Sequence, residues 1–138
     1  MFSFLILAPP SGICSTANQN AELHSNEFIY SSSQQYAAGM FNGQFGIYHA
    51  YGYGNVTSNA TWTANQTSTQ HDAYFAVQHD RNLVVYIPNG TYVWSPHIHV
   101  TNMTSIFCLS ILDNGTLVLK NAVGVTQWQI PPPGQLSQ

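Results

Sequence analysis

Five side chains with complementary polar and apolar groups occupy every second position between residues 78 and 86. They are Gln78, Asp80, Asn82, Val84 and Tyr86. Together they offer two amides, a carboxylate and a phenol around one apolar side chain. Each hydroxyl of a pyranose both donates and accepts hydrogen bonds, while the C–H surface of its ring favours an apolar contact. The pattern therefore indicates a site for a sugar.

The same positions predict a β-hairpin that would hold the site. We expect residues 79–81 to form the turn, with Gln78 ending the strand before it. Because side chains alternate along a strand, Asn82, Val84 and Tyr86 should share one face of the next strand. The opposite face, directed into the core, would consist of Leu83, Val85 and Ile87.

The hairpin belongs to one of three related units. Each unit ends in a tryptophan, Trp62, Trp94 or Trp128, at intervals of 32 and 34 residues. The segments before them read QYAAGMFNGQFGIY, AYFAVQHDRNLVVY and CLSILDNGTLVLK. This order of apolar run, polar turn, alternating run, loop and tryptophan predicts strand, turn, strand, loop and strand. Asn42-Gly43 and Asn114-Gly115 supply residues that tolerate positive φ in such turns.

The arrangement of the units predicts an all-β fold. No stretch has a convincing helical period, and Gly with Asn punctuates the middle of the chain about every 8–12 residues. Three similar sheets of about four short strands each could share one core around a three-fold axis. We expect the three tryptophans to meet near that axis and to be largely buried, because each can bury a large apolar area.

Residues 78–86 fit the pattern Q-x-D-x-N-x-V-x-Y and resemble the sugar-binding signature of the monocot bulb mannose-binding lectins. The resemblance covers residues 21–130 and includes the tryptophan of each unit. It implies a β-prism II fold, that is, three four-stranded antiparallel sheets with pseudo-three-fold symmetry. It also implies mannose or a mannose-containing glycan as the ligand, bound without a metal or a cofactor.

The resemblance further implies a role for each side chain of the motif. Asp80 and Asn82 would hold the axial 2-hydroxyl of mannose. Gln78 would bind the 3-hydroxyl and Tyr86 the 4-hydroxyl, with Val84 touching the ring.

The other two units depart from the motif. The matching positions are Met40, Asn42, Gln44, Gly46 and Tyr48 in the first unit and Leu112, Asn114, Thr116, Val118 and Lys120 in the third. Both units lack the glutamine and the aspartate, so neither should hold mannose in the manner of the family. We expect one competent site per chain.

A single shallow site suggests that several chains assemble. Such a site binds at about −4 kcal/mol, a roughly millimolar dissociation constant, whereas linked sites gain avidity without new contacts. In the family, subunits pair by exchanging C-terminal strands, and residues 123–130 are the matching stretch. We therefore expect a homo-oligomer.

The low charge of the chain limits its partners. Only 5% of the 138 residues are charged, with Arg81 and Lys120 as the basic residues against five carboxylates, a formal net charge of −3. Nucleic-acid binding needs clustered Lys and Arg, so that class of function is excluded.

Attached sugar would compensate for the missing charges as a source of solubility. Six N-x-[ST] acceptor motifs begin at Asn55, Asn59, Asn65, Asn89, Asn102 and Asn114. A chain rich in Asn and Thr also forms such triplets by chance. Glycosylation requires the secretory route, so we expect a secreted or extracellular glycoprotein.

The chain contains two cysteines, Cys14 and Cys108. In a secreted protein they would allow one long-range disulfide, with intermolecular pairing or two buried thiols as alternatives.

The chain divides into a domain and two flanking segments. Residues 1–20 form an N-terminal segment whose apolar run, residues 2–8, ends at Pro9-Pro10 and would suit a signal peptide or an assembly arm. That run is too short to span a bilayer, and no other stretch is a candidate span. Residues 21–130 form the bulb-lectin-like β-prism domain, and residues 131–138 form a Pro-rich tail.

Two other functions are weaker interpretations. A glycosylated structural subunit of an extracellular coat or fibre could keep the same fold, although the intact motif argues against it.

An enzyme is the other alternative, but the chain contains few side chains for acid–base or metal catalysis. His97 and His99 could form a metal pair on one strand face, but no Cys, Asp or Glu lies nearby in sequence. Asp80 lacks a second carboxylate for glycosidase chemistry, so we expect no enzymatic activity.

Overall fold

The computed structural model describes residues 8–101 and 104–131, which form twelve β-strands. The strands are β1 (Gly12–Cys14), β2 (Ala21–Leu23), β3 (Phe28–Tyr30), β4 (Tyr36–Phe41), β5 (Gln44–Ala50), β6 (Val56–Thr63), β7 (Tyr74–Val77), β8 (Leu83–Tyr86), β9 (Tyr92–Trp94), β10 (Phe107–Ile111), β11 (Leu117–Asn121) and β12 (Thr126–Ile130). Within these two ranges no helix has the length and apolar character needed to cross a membrane. Most of the N-terminal apolar run and nearly all of the Pro-rich tail lie outside the described residues.

The strands form three four-stranded antiparallel sheets, as predicted. The first sheet has the order β3-β4-β5-β6, the second β2-β7-β8-β9 and the third β1-β10-β11-β12. In each sheet, three consecutive strands come from one repeat unit and the fourth comes from the N-terminal part of the chain. The three units therefore build the same kind of sheet, and the early strands β1 to β3 complete all three.

The first hairpin illustrates how the repeat units fold. Asn42 and Gly43 join β4 to β5 and have φ values of 49° and 83°. A two-residue hairpin turn of this kind requires positive φ at both central positions, which asparagine and glycine tolerate best. The Asn-Gly signal therefore marks a tight turn, as predicted.

The first strand comes from the segment ahead of residue 21. It pairs with β10 from Gly12 opposite Ser110 to Cys14 opposite Cys108. A disulfide joins Cys14 to Cys108 at this last pair, with an S–S distance of 2.04 Å. Residues 12–14 are thus part of the third sheet, and the intramolecular disulfide is confirmed.

The core lies between the three sheets and contains buried side chains from all of them. The rings of Phe45 and Phe75 stack with 3.9 Å between their centroids and join the first sheet to the second. Leu109 and Leu117 of the third sheet are equally inaccessible to solvent. Burying such a side chain contributes about 1.5–3 kcal/mol, so this shared core is the main source of stability.

The three tryptophans cover the core rather than fill it. Trp94 lies 5.8 Å from Trp62 and 6.4 Å from Trp128, measured between ring centroids, so the three meet as expected. Each remains partly exposed, because β6, β9 and β12 are edge strands of their sheets. The expectation of a tryptophan-filled core is therefore only partly met, and Phe45 and Phe75 occupy its centre.

Candidate functional site

The motif residues surround the turn between β7 and β8. The backbone N–H of Gln78 donates to the carbonyl oxygen of Asn82 at 2.9 Å, and that of Arg81 donates to the carbonyl oxygen of Gln78 at 3.1 Å. Strand β7 ends at Val77 and β8 begins at Leu83. The predicted turn is therefore present and is one residue longer at each end, with Gln78 and Asn82 closing it.

The core-facing side of β8 agrees with the alternation read from the sequence. Leu83 and Val85 are buried in the core, and Ile87 packs against it. Val84 and Tyr86 point to the opposite face. Val84 is nevertheless almost completely buried, so it forms the floor of the site rather than an exposed contact.

Three of the polar side chains form a hydrogen-bonded chain across the motif. The phenol of Tyr86 donates to Oε1 of Gln78 at 2.5 Å. Nε2 of Gln78 in turn donates to Oδ1 of Asp80 at 3.2 Å. The same Oδ1 accepts the backbone N–H of Asn82 at 3.0 Å. Asp80 therefore both orients Gln78 and stabilises the turn.

The side chain of Asn82 is the most buried polar group of the motif, with 9% of its surface exposed. Its Oδ1 accepts hydrogen bonds from the backbone N–H of Leu83 at 3.0 Å, from Oγ of Ser95 at 3.0 Å and from the backbone N–H of Ile98 at 3.1 Å. These three donors fix the orientation of the amide. No hydrogen bond within the described ranges uses its Nδ2, which is available to a ligand.

These residues border a pocket of about 250 Å³ on the outer face of the second sheet. Its walls consist of Gln78, Asn82, Val84, Tyr86, Tyr92, Ser95, His97 and His99. The structure thus brings four of the five predicted residues to one pocket. Asp80 is not part of the wall and is connected to it through the hydrogen bond that it accepts from Gln78.

The phenol of Tyr86 is held in its neutral form. Burial raises its pKa first of all, and the nearby Tyr74, Asp80 and Glu22 raise it further because negative charge close to the phenol disfavours its ionisation. The ring of Tyr74 also stacks on that of Tyr86 at 5.5 Å. Tyr86 therefore keeps its proton at neutral pH and remains a hydrogen-bond donor.

Half of the pocket wall comes from residues outside the motif. Tyr92 belongs to β9, while Ser95, His97 and His99 belong to the loop that follows it. The sequence suggested His97 and His99 only as a metal pair on one strand face, and the strand placement is wrong because both residues lie in the loop after β9. Hydrogen bonds between this loop and the β7–β8 turn bring them to the pocket. Across residues 8–101 and 104–131, no group of three His, Cys, Asp or Glu side chains is placed to hold a metal ion.

The corresponding position in the first unit is filled by its own side chains. Tyr48 is only 3% exposed and packs against the rings of Phe28 and Phe41 at 6.2 and 5.1 Å. Its hydroxyl donates to the carbonyl oxygen of Gln44 at 2.8 Å, and burial raises its pKa to about 12. The one motif residue that this unit retains is therefore part of the packing.

In the third unit, buried side chains likewise fill the position that corresponds to the site. Thr116 and Val118 are buried, and Oγ1 of Thr116 has no hydrogen-bond partner in the part of the chain that the structure describes. The backbone N–H of Ser33 donates to Oδ1 of Asp113 at 2.8 Å, which ties this turn to the first sheet. The buried threonine stands where the second unit has Asn82.

Five of the six acceptor asparagines have exposed side chains. These are Asn55, Asn59, Asn65, Asn89 and Asn114. Asn102 lies outside the described residues. An oligosaccharide transferase needs access to the side-chain amide, so these five asparagines remain predicted glycosylation sites.

The same fold occurs in solved structures of lectins. A monomeric monocot mannose-binding lectin from Gastrodia elata aligns with a TM-score of 0.68 and 14% identity, covering 86% of this chain and 94% of that chain. The mannose-specific agglutinin of snowdrop (Galanthus nivalis), complexed with methyl α-D-mannoside, aligns with a TM-score of 0.63 and 17% identity, covering 91% and 96%. A lectin of Marasmius oreades aligns with a TM-score of 0.64 and 20% identity, covering 88% and 91%.

Comparison of sequences alone does not find these lectins. A scan against protein-family models and a search of curated protein sequences both find no match. The structural likeness nevertheless spans almost the whole length of each lectin. The chain therefore has the β-prism II fold, and the resemblance read from the sequence is confirmed at the level of the fold.

Proposed function

We propose that the protein is a lectin, a binding protein rather than an enzyme, and that it binds mannose or mannose-containing glycans without a metal. The site is the pocket beside the β7–β8 turn. The observation that carries the proposal is the hydrogen-bonded chain from Tyr86 through Gln78 to Asp80. A site whose polar groups are already ordered loses less conformational freedom when a ligand binds.

The groups left over by this network suit a sugar. Asn82 retains both N–H donors of its Nδ2, and Gln78 retains the second N–H of its Nε2. Tyr86 donates its proton to Gln78 and can still accept through its phenol oxygen. Val84 provides apolar surface for the C–H groups of a ring. The pocket therefore offers both donors and an acceptor beside an apolar floor, which suits hydroxyls that donate and accept.

Selectivity for mannose would come from the axial 2-hydroxyl. We assign this hydroxyl to Asn82, which borders the pocket. Asp80 is outside the pocket wall and contributes by orienting Gln78 and the backbone of Asn82. Glucose carries this hydroxyl in the equatorial position, so its binding would leave a buried polar group without a partner. Each such group costs about 1–3 kcal/mol, which is enough to separate the two sugars.

The structural comparisons support a sugar of this class. The Gastrodia elata protein is described as mannose-binding, and the snowdrop agglutinin was solved with methyl α-D-mannoside. The chain also contains the residues of the Q-x-D-x-N-x-V-x-Y motif, four of which border one pocket.

We further propose a secreted, glycosylated homo-oligomer. The disulfide between Cys14 and Cys108 is of a kind that persists in oxidising compartments. Exposed acceptor asparagines fit glycosylation in the same compartments. A chain with one intact motif binds weakly, and linked copies would raise its avidity.

Calorimetric titration with methyl α-mannoside tests the proposal. Tyr86→Phe removes one hydroxyl and keeps the ring, and it should weaken binding about tenfold because Gln78 loses its donor and the ligand loses an acceptor. Tyr51→Phe is the matched control, since Tyr51 is an exposed tyrosine between β5 and β6, and it should bind like the wild type. A wild-type protein that binds no mannoside would overturn the proposal. Loss of binding on addition of EDTA would overturn its metal-free part.

A further inference from the structure

The loop after β9 is attached along its length to the turn that carries the motif. Oγ of Ser95 and the backbone N–H of Ile98 both donate to Oδ1 of Asn82, at 3.0 and 3.1 Å. Further along, the backbone N–H of Val100 donates to the carbonyl oxygen of Asp80 at 2.8 Å. The loop and the turn therefore form one hydrogen-bonded unit.

Arg81 adds a second attachment. Its Nε donates to the carbonyl oxygen of Ile98 at 2.9 Å, and its Nη1 donates to Oε1 of Gln127 at 3.2 Å. One of the two basic residues of the chain is thus used to hold this loop in place. The position of the loop relative to the motif is consequently set by the side chains of Arg81 and Asn82 and by the carbonyl oxygen of Asp80.

His97 has an unusual backbone conformation within this loop. Its φ is 56°, in the left-handed region that residues other than glycine seldom adopt. The backbone N–H of His97 donates to Oγ of Ser95 at 3.0 Å, the same hydroxyl that binds Asn82. Such a conformation persists only where the surroundings impose it, and here it presents the imidazole to the pocket.

His97 has an aromatic neighbour on the sheet. Its ring meets the ring of Tyr92 edge to face, with 5.9 Å between centroids, and Tyr92 is 56% exposed. Both residues and His99 border the same pocket as Gln78 and Tyr86. The pocket wall contains no Lys, Arg, Asp or Glu, which favours a neutral ligand.

We propose that Tyr92, His97 and His99 form a second subsite, which binds the sugar unit linked to the one held by the motif. The inference rests on the proposed function and specifies its ligand as a neutral disaccharide or longer oligosaccharide. Imidazole nitrogens and the phenol of Tyr92 supply hydrogen-bonding groups for hydroxyls, and the exposed tyrosine ring supplies a face for ring C–H groups. The attached loop holds the two histidines, and strand β9 holds Tyr92, in place beside the motif.

Titration calorimetry with methyl α-mannoside and a panel of mannobioses of each linkage tests the subsite. The wild-type protein should bind at least one mannobiose about tenfold more tightly than the monosaccharide, the gain expected from one or two additional hydrogen bonds. His97→Asn and His99→Ala should each reduce this ratio towards one. Asparagine is chosen at position 97 because it tolerates positive φ. His71→Ala, at an exposed histidine ahead of β7, should keep the ratio of the wild type.

The outcomes separate the two proposals. Equal affinity of the wild type for the monosaccharide and for every mannobiose would overturn the subsite and leave the lectin function standing. The same holds if both histidine variants keep the wild-type ratio. Failure of the wild type to bind either kind of sugar would overturn the proposed function and the subsite with it.

Discussion

The phenol of Tyr86 donates a hydrogen bond to Oε1 of Gln78, with 2.5 Å between the two oxygens. These are the last and first residues of the motif. Tyr86 lies opposite Tyr74 on the neighbouring strand, so the contact with Gln78, which closes the turn, is made by the two side chains along one face of the hairpin. Nε2 of Gln78 in turn donates a hydrogen bond to Oδ1 of Asp80. The motif is therefore a connected unit, and a change at one residue should alter the orientation of the others.

Asp80 tests this connection because it is hydrogen-bonded to Gln78 and Asn82 but is not part of the pocket wall. Asp80→Ala removes the acceptor of both Gln78 Nε2 and the Asn82 backbone N–H, so mannoside affinity should fall at least about tenfold. Asp80→Asn keeps an oxygen at this position and should lose less. Calorimetry measures both, with circular dichroism as a check of the fold. Wild-type affinity in Asp80→Ala would contradict the orienting role.

The repeat units and their hairpins could be predicted from the sequence because they depend on local signals. Asn42-Gly43 marks a tight turn through backbone sterics, and alternation places Leu83 and Val85 in the core. The strands β1 to β3 have three residues each and no repeated pattern. β1 pairs with β10 and β2 with β7, both far along the chain, whereas β3 pairs with the next strand, β4. Pairing with a distant strand is not encoded locally in a short segment.

The site could be predicted only in part for the same reason. The motif identifies Gln78, Asn82 and Tyr86, since their even spacing places them on one face of a single hairpin. The contribution of His97 depends on hydrogen bonds from its loop to Asn82 and Asp80. These contacts join separate elements, so neither residue type nor spacing indicates them.

The packing of Phe45 predicts a larger stability loss there than at a tryptophan. Phe45 is completely buried and stacks on Phe75, so Phe45→Ala should lower the free energy of unfolding by about 3–5 kcal/mol. Trp128→Ala should cost less, because Trp128 lies partly exposed on an edge strand. Urea unfolding gives both values. The reverse order would show that the tryptophans form the central core after all.

The buried phenol of Tyr48 predicts a loss of stability at alkaline pH. Burial raises its pKa from 10.0 to about 12, so above pH 10 the unfolded chain loses this proton first. The contribution of Tyr48 to the free energy of unfolding should be fully present below pH 10 and decrease between pH 10 and about 12. Tyr48→Phe should show a smaller decrease than the wild type in urea titrations over this range. Identical pH profiles would exclude the assigned cause.

Asn114 is expected to carry a glycan in secreted protein. Its side chain is exposed, and its Oδ1 accepts the backbone N–H of Thr116 at 3.0 Å, which leaves the amide nitrogen accessible. Peptide mapping of protein secreted from eukaryotic cells should find it modified. An unmodified Asn114 beside occupied Asn55 or Asn89 would refute this prediction.

A variant of the same residue separates modification from sugar binding. Asn114→Asp should remove the glycan without creating a second mannose site, because Leu112 and Lys120 replace the required glutamine and tyrosine. Thr116 also remains buried. Calorimetry should therefore give the same number of sites per chain as the wild type, and a second site in the variant would contradict the packing of the third unit.

Chemical-shift mapping tests the central claim most directly, because it locates the ligand without altering the protein. On titration of ¹⁵N-labelled protein with methyl α-mannoside, the backbone amides of residues 78–86 should shift, together with those of residues 95–99. The amides of residues 40–48 and 112–120 should stay in place, and methyl α-glucoside should produce much weaker changes. Shifts confined to the first or third unit, or no shift at any amide at high mannoside concentration, would contradict the assignment of the site.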